Sequence, residues 1–290
     1  MKIEHAFNTE IGQILTADEA HELFFAGKIA DQRNFNCTDD SCDAQITCVN
    51  MYKVRTEMKV VPHFRDDGNH SKTCSVQSEI MKSQSSNSTK TDEWNVYQDS
   101  VVRLSSQRPP SHLVKVVAEE IHKTKTEAIK KFRQEIQRSK RIPNYFSISP
   151  LVARFLSMDD KEKETVSIEF GRSRTTFAQF FQSVEKLEAD EKIYYGKAWL
   201  KKHEKGIMVT FLGDSSFIGR SGRLSFFISN QVLSKAFTAN HWNAKLNAIF
   251  NQQKPVATVY LLSAPTIHVS EGDKEYLNFR CLNMDFLEIY

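Results

Sequence analysis

Two rhythms of apolar and polar residues run along this chain, and they divide it. In "TADEAHELFFAG" (16–27) the spacing predicts a short helix, with Thr16 as candidate N-cap, Glu19 three residues on and Gly27 at the close. "AQITCVNMY" (44–52) and "EMKVVPHF" (57–64) alternate in part and predict a strand pair. Past Ile80 the pattern lapses. "SEIMKSQSSNSTKTDEW" is polar and Ser-rich, so 82–92 reads as a flexible linker within a connecting segment spanning 81–110. A long helix is predicted from Ser111, its N-cap, to Arg141. Its stripe is Val114, Val117, Ile121, Ala128, Phe132 and Ile136, and basic residues crowd its end before Pro143. "TTFAQFFQSVEKLEA" (175–189) predicts a second helix, which makes 111–190 a helical middle region.

The last hundred residues have another order. "KIYYGKAWLKK", "IMVTFLGD" and "GRLSFFIS" predict three strands, and "QVLSKAFTANHWNAKLNAIF" a helix with Trp242, Leu246 and Ile249 on one side. "KPVATVYLLS" and "EYLNFRCLNMDFLEI" predict two further strands, joined by a polar "EGDK" turn. Three strands, a helix and two strands is the order of an OB-fold, although other small α+β folds share it. The expected class is therefore an α+β multidomain chain. It has an N-terminal zinc-binding β module with a short helix (1–80), the helical middle, and an OB-like five-stranded barrel with one helix (191–290).

A length of 290 residues, with 40% apolar and 11% aromatic content, suits two or three folded units with ample cores. No apolar run approaches the roughly 20 residues of a membrane helix, and "MKIEHAFNTEIG" lacks the apolar stretch of a signal peptide. The expected location is the cytoplasm, where thiols stay reduced. Net charge is only +3, but residues 1–74 carry 8 Lys+Arg against 12 Asp+Glu, 112–141 carry 9 against 4, and 193–290 carry 11 against 7. A polyanion would be drawn to the later segments.

Four of the five cysteines fall between Cys37 and Cys74. Zinc takes four tetrahedral N/S ligands, commonly as two short-spaced pairs. Cys37 and Cys42 have four residues between them, and His70 and Cys74 three, with the predicted strand pair in the middle. Both spacings suit one structural Zn2+ with no open position. His63 is the alternative to His70, whereas Cys48 sits in a predicted strand and suits packing as a small hydrophobe. Five unrelated buried thiols are the competing reading.

These residues carry a resemblance. "GQILTADEA…FNCTDDSCDAQITCVN…VPHFRDDGNHSKTC" (about 10–75) is similar to the zinc module of the bacterial competence-protein CoiA-like family, which has a paired-cysteine knuckle, a strand pair and a closing His or Cys. The resemblance implies Cys37, Cys42 and Cys74 as ligands, with His70 or His63 as the fourth. It also implies a setting in DNA processing, mobile elements or phage defence. The four-residue gap of the first pair departs from the family's commoner two. That family typically continues into a nuclease-like domain, and the resemblance does not extend to it.

Catalytic signatures are few. There is no phosphate-binding GxxxxGK[ST], no GxSxG and no HExxH, and "GDSSFIGRSG" reads as a Gly/Ser turn. "DKEKETVSIEF" holds acids and lysines, but reads as a solvated turn before a strand rather than a nuclease site. A binding function is better marked. In "YYGKAWLK", Tyr194, Gly196, Ala198 and Leu200 suit a barrel interior, which leaves Tyr195, Lys197, Trp199 and Lys201 outside. Arg223 and Phe227 are left outside in "RLSFFIS". Alternating rings and cations suit single-stranded nucleic acid, rings stacking on bases and cations meeting phosphates. Such a face also suits packing against the middle region or a protein partner. Lys130, Lys131, Arg133, Arg138, Lys140 and Arg141 offer further phosphate contacts. The leading expectation is a non-enzymatic protein binding single-stranded DNA or RNA. An interaction subunit of a defence or mobile-element complex and a divergent nuclease are the alternatives, and no membrane partner is expected.

Overall fold

The computed structural model describes residues 3–58, 60–77, 101–108, 125–130, 144–269 and 275–290. They form two units, 1–98 with 110–141, and 99–109 with 142–290. The chain is mixed α and β, with several sheets and few helices. The expected linker at 82–92 and the "EGDK" turn lie outside the described residues.

In the first unit β1 (His5–Asn8), β2 (Gln13–Thr16), α1 (Ala17–Phe25), β3 (Phe35–Asn36), β4 (Gln45–Val49) and β5 (His63–Asp66) follow in order. The strands make one antiparallel sheet in the order β2-β1-β3-β4-β5. Helix α1 starts where Thr16 and Glu19 cap each other: Glu19 N–H donates to Thr16 Oγ (3.2 Å) and Thr16 N–H to the Glu19 carboxylate (2.8 Å). It ends at Gly27, whose φ of +67° is the left-handed conformation that terminates helices cheaply only in glycine. Alternation puts Leu15, Phe35, Ile46 and Phe64 in the core. Strand β5 begins later than the expected 57: Arg55–Glu57 form a 3-10 turn, Arg55 pairs with Asp18 at 2.7 Å, and Pro62 has no N–H for a ladder.

Only 125–130 of the long basic helix is described, and it is helical. Ile129 is buried there and Lys130 exposed, so the inward position is one residue past the expected Ala128.

The second unit opens with β6 (Val101–Leu104), inside the expected linker segment, and β7 (Asn144–Tyr145). Then follow α2 (Ser149–Ser157), α3 (Asp160–Thr165), β8 (Ser167–Phe170), β9 (Ser173–Thr176), α4 (Phe177–Phe180) and β10 (Phe181–Ser183). Strands β7-β6-β8-β9 form a four-stranded sheet. The expected helical middle is therefore mixed. The helix expected over 175–189 lasts only four residues, because Phe181–Ser183 pair in parallel with Ile193–Tyr195 and take the chain into strand.

The remaining elements are β11 (Lys192–His203), β12 (Gly206–Phe211), β13 (Ser215–Phe217), β14 (Arg220–Gly222), β15 (Leu224–Ser229), α5 (Asn230–Ser234), α6 (Ala239–Phe250), β16 (Val256–Ser263), β17 (Thr266–Val269), β18 (Glu275–Asn278) and β19 (Leu287–Ile289). "GDSSFIGRSG" is thus a hairpin, β13 with β14. The main sheet has eight strands rather than five, ordered β17-β18-β15-β12-β11-β16-β19 with β10 also on β11. One face carries Ala198, Leu200, Val209, Phe226 and Val259 against Trp242, Leu246 and Ile249 of α6, the expected helix face. Ile193, Tyr260 and Leu262 point the other way, into a second core with Val102, Leu151, Ile168 and Phe181.

Gly196 lies at a close approach. A methyl there would sit 2.6 Å from Val184 Cγ2 and 3.3 Å from Phe211 Cδ1. Gly196→Ala is therefore expected to lower the second unit's stability by about 1–3 kcal/mol, read as a lower denaturant midpoint.

Candidate metal centre and sheet face

Cys37 follows β3 directly, Cys42 precedes β4, and His70 and Cys74 lie on the chain after β5, so antiparallel pairing of β4 with β5 brings the two ligand pairs together. One ligand atom from each of the four residues lies within 4.8 Å of all the others. Cys37 Sγ is 3.6 Å from Cys74 Sγ, and His70 Nδ1 is 3.3 Å from both Cys42 Sγ and Cys74 Sγ. None of the five cysteines is in a disulfide. These four residues lie close enough to hold a metal ion without a disulfide. His63 stands outside the group, its Nδ1 3.0 Å from Val61 O. Cys48 is buried in β4 with Sγ 4.0 Å from Ala17 O, and Cys281 is buried in the other unit's core.

The surroundings suit thiolates. Backbone amides of Asp39 and Ser71 donate to Cys37 Sγ and Cys42 Sγ, each at 3.4 Å. Burial would raise the Cys42 thiol, but amides of Ser71 and Ala44 together with His70 outweigh it and bring it down to about 6. Burial pushes Cys37 and Cys74 up. Without a cation the cluster thus favours one thiolate over three, and a divalent ion would offset the cost of burying the charges and let all three ionise.

Two aspartates that the spacing argument did not mark organise the site. Asp39 accepts from Ser41 N–H (2.8 Å) and Oγ–H (2.7 Å), and from Ser75 N–H (2.9 Å) and its hydroxyl, tying the Cys37–Cys42 loop to the residue after Cys74. The hydroxyls of Ser75 and Ser41 hold its carboxyl well below the usual range. Asp66 Oδ1 lies 3.0 Å from His70 Nε2, which leaves Nδ1 to face the thiols. A carboxylate behind a ligating imidazole helps orient the ring, and losing one commonly costs about 10–100-fold in metal affinity. Asp66→Ala is expected to weaken metal binding by that factor, measured by competition with a chromophoric chelator.

On the main sheet, the aromatic–basic face of β11 divides in two. Tyr195 is half-buried, its ring 5.5 Å from Tyr260 and 5.6 Å from Phe155, so the protein itself engages the ring expected to be open. Beyond Tyr195 the cover ends. Lys197, Lys201 and Arg223 are exposed, as are Trp199 at 42% and Phe227 at 37%. Register places Trp199 opposite Thr210 and Thr210 opposite Ser225; Lys201 meets Met208, and Met208 meets Phe227. No carboxylate stands among these positions. Of the basic helical residues, only the exposed Lys130 is described; Lys131, Arg133, Arg138, Lys140 and Arg141 lie outside the described residues. The acids and lysines of "DKEKET" form the short helix α3 rather than a turn, and Glu169 of β8 pairs with Arg103 at 2.8 Å.

Comparison with family models, with curated proteins and with solved structures finds no match. No helix among the described residues is long and apolar enough to cross a membrane.

Proposed function

We propose that this chain is a zinc-containing protein that binds single-stranded DNA or RNA on the open half of its C-terminal sheet. The observation that carries the proposal is an exposed face on which Trp199 and Phe227 stand among Lys197, Lys201 and Arg223, with no acid at the positions paired with the two rings across β11, β12 and β15. Rings that stack on any base and cations that meet phosphates give sequence-tolerant binding.

An OB-like reading of the sheet fits this use. Strands β11, β12 and β15 run as a meander, and α6 crosses over to β16. Only Ala264 and Pro265 separate β16 from β17, so nearly continuous chain pairs first with β11 and then with β18. Strand β18 lies parallel to β15, which would bring the sheet round on itself.

Zinc is the metal that best suits the tetrad. Bonds of about 2.3 Å to sulfur set tetrahedral sulfur–sulfur edges of about 3.8 Å, close to the 3.6 Å between Cys37 and Cys74. With four protein ligands and no open position the ion's role is structural, and no catalytic residue is assigned. The CoiA-like resemblance of residues 10–75 suggests a cytoplasmic bacterial setting in DNA processing, mobile elements or phage defence.

Fluorescence anisotropy with labelled oligo-dT and oligo-U across a salt series tests the proposal. Affinity should fall linearly with salt on a log–log plot, and Lys197→Ala or Lys201→Ala should each reduce the slope by about 0.7. A protein-binding role for the same face draws on Leu212, 43% exposed with its N–H on Lys197 O at 2.8 Å. Wild-type protein that binds no oligonucleotide at low salt would leave that second role as the better one.

A further inference from the structure

The open face continues past β15. Strand β18 pairs with it in parallel, Leu224 with Leu277 and Ser225 with Asn278. The two leucines are buried together in the main core, and Ser225 Oγ lies 3.0 Å from Asn278 Oδ1, so the serine and asparagine share the opposite face. Tyr276, two residues before Asn278, falls on that same face by strand alternation. It is 46% exposed, more than either Trp199 or Phe227. Arg223, two residues before Ser225, is exposed at the same end.

We infer that Tyr276 is a third stacking residue, with Arg223 as its phosphate contact, and that the nucleic-acid path crosses from β11 through β15 onto β18. The inference rests on the reading of this face as a single-stranded nucleic-acid platform. Strands lie about 4.8 Å apart and rise about 3.3 Å per residue, which puts Phe227 about 12 Å from Trp199 and Tyr276 about 14 Å from Phe227. Those gaps are too wide for adjacent bases to bridge. They suit instead an extended strand within the about 4–16 nucleotides that a single such domain covers. Ser225 and Asn278 offer hydrogen-bonding groups between the rings, and neither brings a charge that would repel a phosphate.

The rings at 199 and 227 come from segments whose alternation is plain in the sequence. Tyr276 comes from a four-residue strand whose paired residues in β15 are 53 positions earlier, and only the parallel register with β15 brings it onto the face.

The test measures a labelled 16-nucleotide oligo-dT against full-length wild-type, Trp199→Ala, Tyr276→Ala, Tyr276→Phe and Arg223→Ala proteins. Tyr276→Ala should weaken binding about 5- to 150-fold, the usual range for losing one stacked ring. Tyr276→Phe should bind as the wild type, because stacking needs the ring and not the hydroxyl. Arg223→Ala should reduce the salt slope by about 0.7 on single strands, an arm that holds even if Tyr276→Ala fails to fold. If Trp199→Ala binds weakly while Tyr276→Ala and Arg223→Ala match the wild type, the path stops at β15: this inference fails and the platform stands. Equal weakening by Tyr276→Phe and Tyr276→Ala would assign the residue a hydrogen bond and overturn the stacking role. No binding by the wild type at low salt overturns both the inference and the platform beneath it.

Discussion

Cys37→Ser or Cys74→Ser is expected to release one zinc per chain and to collapse the stability of the first unit, with the second unit's unfolding transition unchanged. Structural zinc contributes about 10–16 kcal/mol of apparent folding free energy in isolated finger peptides, comparable to or above a typical domain's whole stability. Here the ion would tie residue 37 to residue 74 across the β4–β5 pair. The unit also has a sheet core in Leu15, Phe35, Ile46 and Phe64, none of which belongs to the tetrad. The loss should therefore fall hardest on the loops at 37–44 and 67–75. A chelator acting on the wild type should reproduce it. Cys48→Ser should keep the metal, since Cys48 is no part of the tetrad, and His70→Ala should cost far more metal affinity than His63→Ala. Metal analysis of protein purified without chelator reads the stoichiometry directly. A zinc content near zero would remove the metal from the account, and retention by Cys74→Ser would redraw the ligand set.

The second large effect separates two aromatic residues on one strand. Trp199→Ala should weaken binding to single-stranded oligonucleotides by about 5- to 150-fold, the 1–3 kcal/mol typical of a lost base stack, while leaving the melting temperature nearly unchanged, as suits an exposed position. Tyr195→Ala should do the reverse. Its ring stands between Phe155 and Tyr260 in the second core of that unit, so its loss opens a cavity that costs about 3 kcal/mol. Oligonucleotide affinity should hardly move. Melting and binding measured on the same two samples decide the matter. A large drop in melting temperature for Trp199→Ala would show that this half of the face is also covered.

That contrast also shows how far the chain can be read without its structure. Alternation in "YYGKAWLK" is a local property, so it determined which residues share a face: Tyr194, Ala198 and Leu200 went to the core and Trp199 stayed outside. Local spacing likewise determined the capping box of α1 and the tetrad of Cys37, Cys42, His70 and Cys74, because few residue types bind a soft metal and their intervals are short. Asp39 and Asp66 were not legible. Aspartate in a polar turn is too common to mark a site, and each acts through a partner, Ser75 or His70, that only the folded loops bring close.

The middle of the chain misled for a related reason. "TTFAQFFQ" has the three- and four-residue spacing of a helix, yet Phe177, Phe180 and Phe181 are all buried through a single helical turn and a strand. Pairing of Phe181 with Ile193 and stacking of its ring on Phe155 at 4.1 Å outweigh the local preference. The sequence by itself determined faces, caps and ligand spacing, each set within a few residues. The tertiary structure alone decided what covers each face, since that depends on strands distant in the chain. It half-buried Tyr195 against Phe155 and Tyr260 and left Trp199, four residues farther on, open to solvent.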